Sequence, residues 1–155
     1  MYSVRLVTER KKDYLPFLLL ADPKEEMIDK YLARGALYAL DVNDEIKAVA
    51  VVTIEGEKLC ELKNLAVGER YQHEGYAALM LENLFFKYAQ GFNTMRVGTG
   101  RSLVPFYEKF GFKETGVIPG FFTENYGHIV DDGEVLTDMI LLERPLTPGC
   151  ACCGK

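Results

Sequence analysis

Three strand-like runs in close succession constrain this chain more than any other feature. Residues 36–42 and the Val- and Ile-rich stretch 46–54 flank Asn43-Asp44-Glu45, a turn cluster. Glu55-Gly56-Glu57 makes a second turn before a third run at 58–67. Turns this short cannot house a crossover, so successive runs pair antiparallel as hairpins. Directly afterwards, Ala77, Met80, Leu81, Leu84, Phe85 and Tyr88 recur at helical spacing and predict the longest helix, over 75–90.

The other segments attach to this frame. Residues 2–8 alternate as a strand, and a helical stretch follows from about Asp13 to Ala21. Asp22-Pro23-Lys24-Glu25 combines an acidic N-cap, a proline at the first helical position and a glutamate at the third. Met27, Ile28, Tyr31 and Leu32 then recur at 3.6 spacing before Gly35, so a second helix is expected over 23–34. A strand at 93–98, a short helix near 103–110 and strands near 112–118 and 134–143 complete the order β-α-α-β-β-β-α-β-α-β-β. The expected architecture is α/β, a mixed and mostly antiparallel sheet flanked by helices. A length of 155 residues suits one domain, read here as 1–145 with a Cys-rich, flexible tail at 146–155.

Composition removes several classes of function. Lys and Arg number 18 against 23 Asp and Glu, for a net charge of −5, so neither nucleic acid nor an anionic membrane is an expected partner. No apolar run approaches the ~20 residues of a membrane-spanning helix, and no signal peptide is read at Met1-Tyr2-Ser3-Val4-Arg5, so a cytoplasmic protein is expected. Cys60 sits alone in an apolar run and reads as a buried, inert thiol. Cys150, Cys152 and Cys153 crowd the end without a nearby histidine, and no metal is expected there.

The chemistry is concentrated in Glu61-Leu62-Lys63-Asn64-Leu65-Ala66-Val67-Gly68-Glu69-Arg70-Tyr71-Gln72-His73-Glu74-Gly75-Tyr76-Ala77, a strand running through a loop into the long helix. Unpaired N–H groups at a helix start carry partial positive charge, and small residues at 75 and 77 let an anion approach them. Neither G-x-G-x-x-G nor G-x-x-x-x-G-K-[S/T] is present, which removes the usual nucleotide loops. About thirty residues on stands Phe106-Tyr107-Glu108-Lys109-Phe110-Gly111-Phe112.

Together these two elements resemble the GNAT superfamily of acetyl-CoA-dependent N-acetyltransferases. Gln72, Gly75 and Ala77 match its cofactor loop Q/R-x-x-G-x-G/A. Leu65-Ala66-Val67 matches its preceding strand end, and Tyr107, Glu108, Lys109, Gly111 and Phe112 match its late Y-E-K-x-G-F element. The resemblance spans residues 2–144. It implies the acyl-CoA N-acyltransferase fold, a splayed sheet, and acetyl-CoA as cosubstrate for transfer to an amine. Main-chain groups along Leu65, Ala66 and Val67 would hold the pantetheine and acetyl carbonyl. N–H groups of Gln72, His73, Glu74, Gly75, Tyr76 and Ala77 would cradle the pyrophosphate. Arg70 and Arg101 are either phosphate partners or solvated surface arginines. The family's asparagine before the late helix is missing, with Thr99 or Ser102 in its place.

Two residues are expected to carry the reaction. Tyr107 matches the family's general acid, and a tyrosine protonated at neutral pH can donate to a leaving thiolate. Glu61, six residues before Val67, counts to the same strand face as Leu65 and Val67 and is the candidate base. A glutamate is far less basic than an amine, so it would act through water or on the neutral amine fraction. The alternative for Glu61 is a structural pair with Lys63 or Lys47, and His128 is an outside candidate. In residues 119–133, Phe121, Phe122 and Tyr126 could wall an acceptor pocket while Glu124, Asp131 and Asp132 supply negative charge, a mixture suited to a small cationic amine. The competing function is a catalytically silent acyl-CoA-binding module; a homodimer stays open.

Overall fold

The computed structural model describes residues 1–131 and 133–147. The described strands are β1 (Tyr2–Val7), β2 (Ala36–Val42), β3 (Glu45–Ile54), β4 (Leu59–Val67), β5 (Thr94–Thr99), β6 (Lys113–Ile118), β7 (Val130–Asp131), β8 (Glu134–Val135) and β9 (Met139–Pro145). Seven of them form one sheet in the order β1-β2-β3-β4-β5-β9-β6, and β7 and β8 make a separate hairpin. The β2–β3 turn puts Asn43 at φ 53° and Asp44 at φ 68°, the paired left-handed residues of a tight two-residue hairpin. Within the sheet β4 and β5 pair parallel and the other neighbours antiparallel, because the chain between β4 and β5 leaves as a helix and returns.

The helices are α1 (Leu15–Ala21), α2 (Glu25–Leu32), α3 (Tyr76–Tyr88), α4 (Val104–Glu108) and α5 (Phe121–Tyr126). Strand alternation sorts the core into two layers. Leu40, Ala48, Ala50, Val52, Cys60 and Leu62 face α3 and α4, where Met80, Leu81 and Leu84 are wholly buried. Leu37, Ala39, Val49, Val51 and Ala66 face α1 and α2, against Leu18, Ile28 and Leu32. Each such fully buried Leu, Ile or Met contributes about 1.5–3 kcal/mol of transfer free energy.

One irregularity in β4 decides how the site is built. Val51 pairs with Asn64 but the next residue, Val52, pairs with Leu62, so Lys63 is an extra residue in β4. Such a bulge resets the alternation. Cys60 and Leu62 before it, and Leu65 and Val67 after it, all pack toward α3, whereas Ala66 faces α1 and α2. Glu61 therefore shares its face with Asn64 and Ala66. The expectation from parity, that Glu61 lies on the face of Leu65 and Val67, is overturned, because counting by two fails across an inserted residue.

Other expectations change as well. Asp22 does not cap α2: it closes α1, its N–H donating to the Leu18 carbonyl at 3.0 Å, and Lys24 precedes α2. Asp22 is extended at φ −137°, ψ 104°, as the residue before a proline prefers, and its carboxylate is spent on tyrosines instead. The segment 119–133, which has no element in the expected order, contains α5, and the strand expected over 134–143 divides into β8 and β9. Leu146, assigned to the tail from sequence, is buried and donates its N–H to the Asn93 carbonyl at 2.7 Å. Cys150, Cys152 and Cys153 lie outside the described residues. No helix among the described residues is long and apolar enough to cross a membrane.

Cys60 is fully buried in the α3-side core, and burial pushes its thiol up to about 12. Only the thiolate reacts quickly, so Cys60 should resist a thiol reagent at pH 8 in the native protein and react on denaturation. Labelling of Cys60 followed by peptide mapping, with and without guanidinium, checks this; equal labelling would show that the α3-side core opens readily.

Candidate active site

β4 and β5 pair only from Leu59–Thr94 to Leu62–Val97, while β4 runs on to Val67. Beyond the bulge the two strands separate, and the gap opens into a cleft of about 520 Å³. The β4 main chain faces this gap in a defined phase. Gly68 donates its N–H to Lys47 O at 2.9 Å, so alternation turns the Ala66 groups toward β3 and those of Leu65 and Val67 toward the gap. An edge of backbone donors and acceptors beside a cleft of mixed polar and apolar lining suits an extended partner. Leu65, Ala66 and Val67 all line the cleft, with the Leu65 groups and the Val67 N–H turned toward it and the Val67 carbonyl accepting from Gln72.

The loop after β4 leads to a helix start that no side chain caps. Gln72 folds back to donate to the Val67 carbonyl at 3.2 Å, which ties the loop to the strand end. His73 is held at φ 66°, a left-handed conformation uncommon for a non-glycine residue. Gly75, at φ 89°, precedes α3, and a Cβ there would meet nothing within 4 Å, so the main chain is openly accessible. Leu79 N–H bonds to Gly75 O at 3.1 Å, and the N–H groups of Tyr76, Ala77 and Ala78 end the helix with partial positive charge. Gln72 lines the cleft; His73, Glu74 and Gly75 are exposed just beyond it. Nearby, the Lys47 ammonium lies 3.6 Å from the Tyr71 ring centre and bonds to Glu45 at 2.8 Å. Arg101 is engaged with Glu114 at 3.0 Å. Of the two substitutes for the missing asparagine, Thr99 lines the cleft.

Tyr107 comes to the cleft from α4, whose Pro105 sits near its start. Its ring is wedged edge-on between Phe106 at 5.0 Å and Phe112 at 5.5 Å, so its direction is set by packing. The hydroxyl has no hydrogen-bond partner among the described residues, and burial pushes it well above the ordinary tyrosine range. It is therefore a protonated donor with nothing yet to donate to.

Glu61 is buried at 6% exposure and occupied. Arg96 reaches Oε1 at 2.7 and 2.8 Å through two nitrogens, and Lys63 donates to Oε2 at 3.1 Å. The pair with Lys63 was one of the alternatives read from sequence; the Arg96 clamp comes from the parallel register that sets Glu61 beside Arg96.

On the same face lies a polar chain that sequence reasoning missed. Asn64 Nδ2 donates to the Leu18 carbonyl at 3.1 Å and to the Tyr31 hydroxyl at 3.0 Å. Tyr31 donates to Asp22 Oδ2 at 2.9 Å, and Tyr126 of α5 donates to Asp22 Oδ1 at 2.8 Å. All four residues line the cleft. The one available signal was an asparagine inside an apolar strand, which demands buried partners. Phe121 and Phe122 also line the cleft, as expected, while Glu124 and His128 are exposed outside its lining. The Asp131 side chain and Asp132 lie outside the described residues.

A family model described as an acetyltransferase (GNAT) domain matches residues 33–114, which hold the splayed strands, the loop, α3 and Tyr107. This chain belongs to the GNAT acetyltransferase family. It is 31% identical over 144 residues to the uncharacterized N-acetyltransferase YvbK of Bacillus subtilis (strain 168), covering 90% of this chain and 93% of that protein. It also superposes with a TM-score of 0.88 on a GNAT family acetyltransferase from Elizabethkingia anophelis with acetyl-CoA bound, at 33% identity over 94% of this chain and 98% of that one. A Bacillus subtilis acetyltransferase in complex with CoA gives 0.86 at 30% identity, over 94% and 99% of the two chains. The mixed sheet with its flanking helices is thus the acyl-CoA N-acyltransferase fold.

Proposed function

We propose that this protein transfers the acetyl group of acetyl-CoA to the primary amine of a small, cationic acceptor in the cytoplasm. The observation that carries the reading is that the β4 edge at Leu65 and Val67, Gln72 of the loop leading to the uncapped start of α3, and Tyr107, whose hydroxyl has no hydrogen-bond partner among the described residues, line one cleft. Backbone groups of Leu65 and Val67 hold the pantetheine arm as an added strand would be held. N–H groups from Gln72 to Ala77 take the pyrophosphate, through dipole and hydrogen bonds without a lysine.

In the reaction the amine nitrogen forms a bond to the thioester carbonyl carbon and the C–S bond breaks. Tyr107 donates its hydroxyl proton toward the departing sulfur; the proton released by the amine leaves through cleft water, and Tyr107 is reprotonated from solvent. A thiolate leaving beside the buried Tyr107 ring is itself partly desolvated and so more basic than in water, which narrows the gap to the buried hydroxyl. Glu61, clamped by Arg96 and Lys63, contributes charge and position on the acceptor side. Support from relatives is that one carries acetyl-CoA and another CoA.

The test is acetyl-CoA-dependent release of free thiol across a panel of primary amines, together with thermal stabilisation by acetyl-CoA. Replacement of Ala77 by phenylalanine should reduce that stabilisation by crowding the helix start, with a rise of about tenfold or more in Kd, or ~1.4 kcal/mol. An unchanged shift in Ala77→Phe would remove the loop from the site. Stabilisation without thiol release for any amine would identify a silent acyl-CoA-binding module instead.

A further inference from the structure

Asp22 is a buried carboxylate, 9% exposed, on the wall of the cleft, and among the described residues no charged nitrogen of a Lys, Arg or His side chain lies within 4 Å of its oxygens. The nearest basic side chain in sequence, Lys24, donates its ammonium to the Asn125 carbonyl at 2.7 Å. What holds Asp22 is neutral: the Tyr31 and Tyr126 hydroxyls and, at 3.4 Å, the Lys24 main-chain N–H. Burial and the carboxylate itself keep both tyrosine hydroxyls above their ordinary range, so they remain donors. One hydroxyl away, Asn64 Oδ1 is buried with no hydrogen-bond partner. Its amide is not free to turn round, because Nδ2 already serves the Leu18 carbonyl, which a flipped oxygen could only repel. A buried carboxylate with no ion-pair partner within 4 Å among the described residues, next to an orphaned acceptor, is complementary to a ligand that brings both a positive charge and N–H donors.

We propose that Asp22, with Tyr31, Tyr126 and Asn64, seats a second, non-reacting ammonium of the acceptor, which makes the acceptor class an aliphatic diamine or a similar molecule with two cationic nitrogens. The inference rests on the acetyltransferase reading. A nitrogen beside Asp22 is stabilised in its charged form, and a charged nitrogen has no lone pair with which to attack. The nitrogen that Asp22 recognises therefore cannot be the one that is acetylated; a different amine must reach the thioester at Leu65 and Val67. Asn64 lies directly before Leu65 on β4, so one molecule lying along the strand end spans from the charge subsite toward the reacting centre. Phe121 and Phe122 wall the apolar space alongside, which suits a methylene chain.

The experiment compares 1,4-diaminobutane, n-butylamine and 4-aminobutanoate as acceptors at saturating acetyl-CoA, with wild-type protein and Asp22→Asn. Wild type should prefer the diamine to the monoamine in kcat/KM by about 30-fold or more, and should use 4-aminobutanoate least, since its carboxylate would face Asp22. In Asp22→Asn, which keeps shape and can still accept from a tyrosine, the diamine-to-monoamine ratio should fall to within about threefold of one. A purely structural Asp22 would depress all three acceptors alike and leave the ratio unmoved, which overturns the proposal. The wild-type comparison stands without the variant: equal use of the three acceptors overturns it as well. Calorimetric binding of each amine to the CoA-loaded protein separates the two levels. Diamine binding weakened in Asp22→Asn, without turnover of any amine, keeps the subsite and refutes acetyl transfer to amines. Absence of any binding preference together with absence of turnover refutes the subsite.

Discussion

Tyr107→Phe should lower kcat about 10²-fold, within the range a general acid supplies. The change deletes one oxygen and nothing else. The ring stays edge-on against Phe106 and Phe112, and no partner group is orphaned, since the hydroxyl has no hydrogen bond among the described residues. Folding stability should therefore move by no more than about 0.5 kcal/mol, and the Kd for acetyl-CoA by no more than about twofold. The measurement pairs a thiol-release assay with a thermal melt and a binding isotherm. Turnover near the wild-type value would show that solvent protonates the leaving sulfur. A fall in melting temperature matching the fall in rate would make Tyr107 a packing residue only.

Glu61→Gln should damage two properties at once. Arg96 and Lys63 would lose their shared partner on a buried face, and breaking such a pair costs more than the pair is worth. Both cations are about a quarter exposed, so water offsets part of the cost. We expect a loss of about 1–3 kcal/mol in urea denaturation. The rate should fall by a similar factor across the pH range. A glutamate acting as base would instead lose most at low pH, where ammonium dominates the acceptor. A pH–rate profile of the variant that converges on wild type at high pH would restore Glu61 as the base and refute the positional role derived from its ion pairs.

Much of this molecule is written in local pattern. The hairpins of β2, β3 and β4 follow from turn residues and run length, α3 from its 3.6-residue repeat, and the loop before α3 and Tyr107 from motifs whose order survives in the sequence. Each depends on neighbours within a few residues, so the sequence alone determines it. The site's polar half does not. Strand parity assigned Glu61 to the wrong face because the extra residue Lys63 leaves no trace in composition, and a single insertion reverses every later side chain. Asp22 has the sequence of a helix cap, yet its carboxylate goes to Tyr31, nine residues away, and Tyr126, 104 residues away. A buried charge takes the best donors available in space, and which donors those are is settled only when α2, α5 and β4 are packed around the cleft. Sequence determined the frame and the motifs that the proposed acetyl-transfer site uses; tertiary structure decided which charged and polar groups line the cleft beside them, because hydrogen-bond partners of buried groups are chosen by the fold and not by the chain's local order.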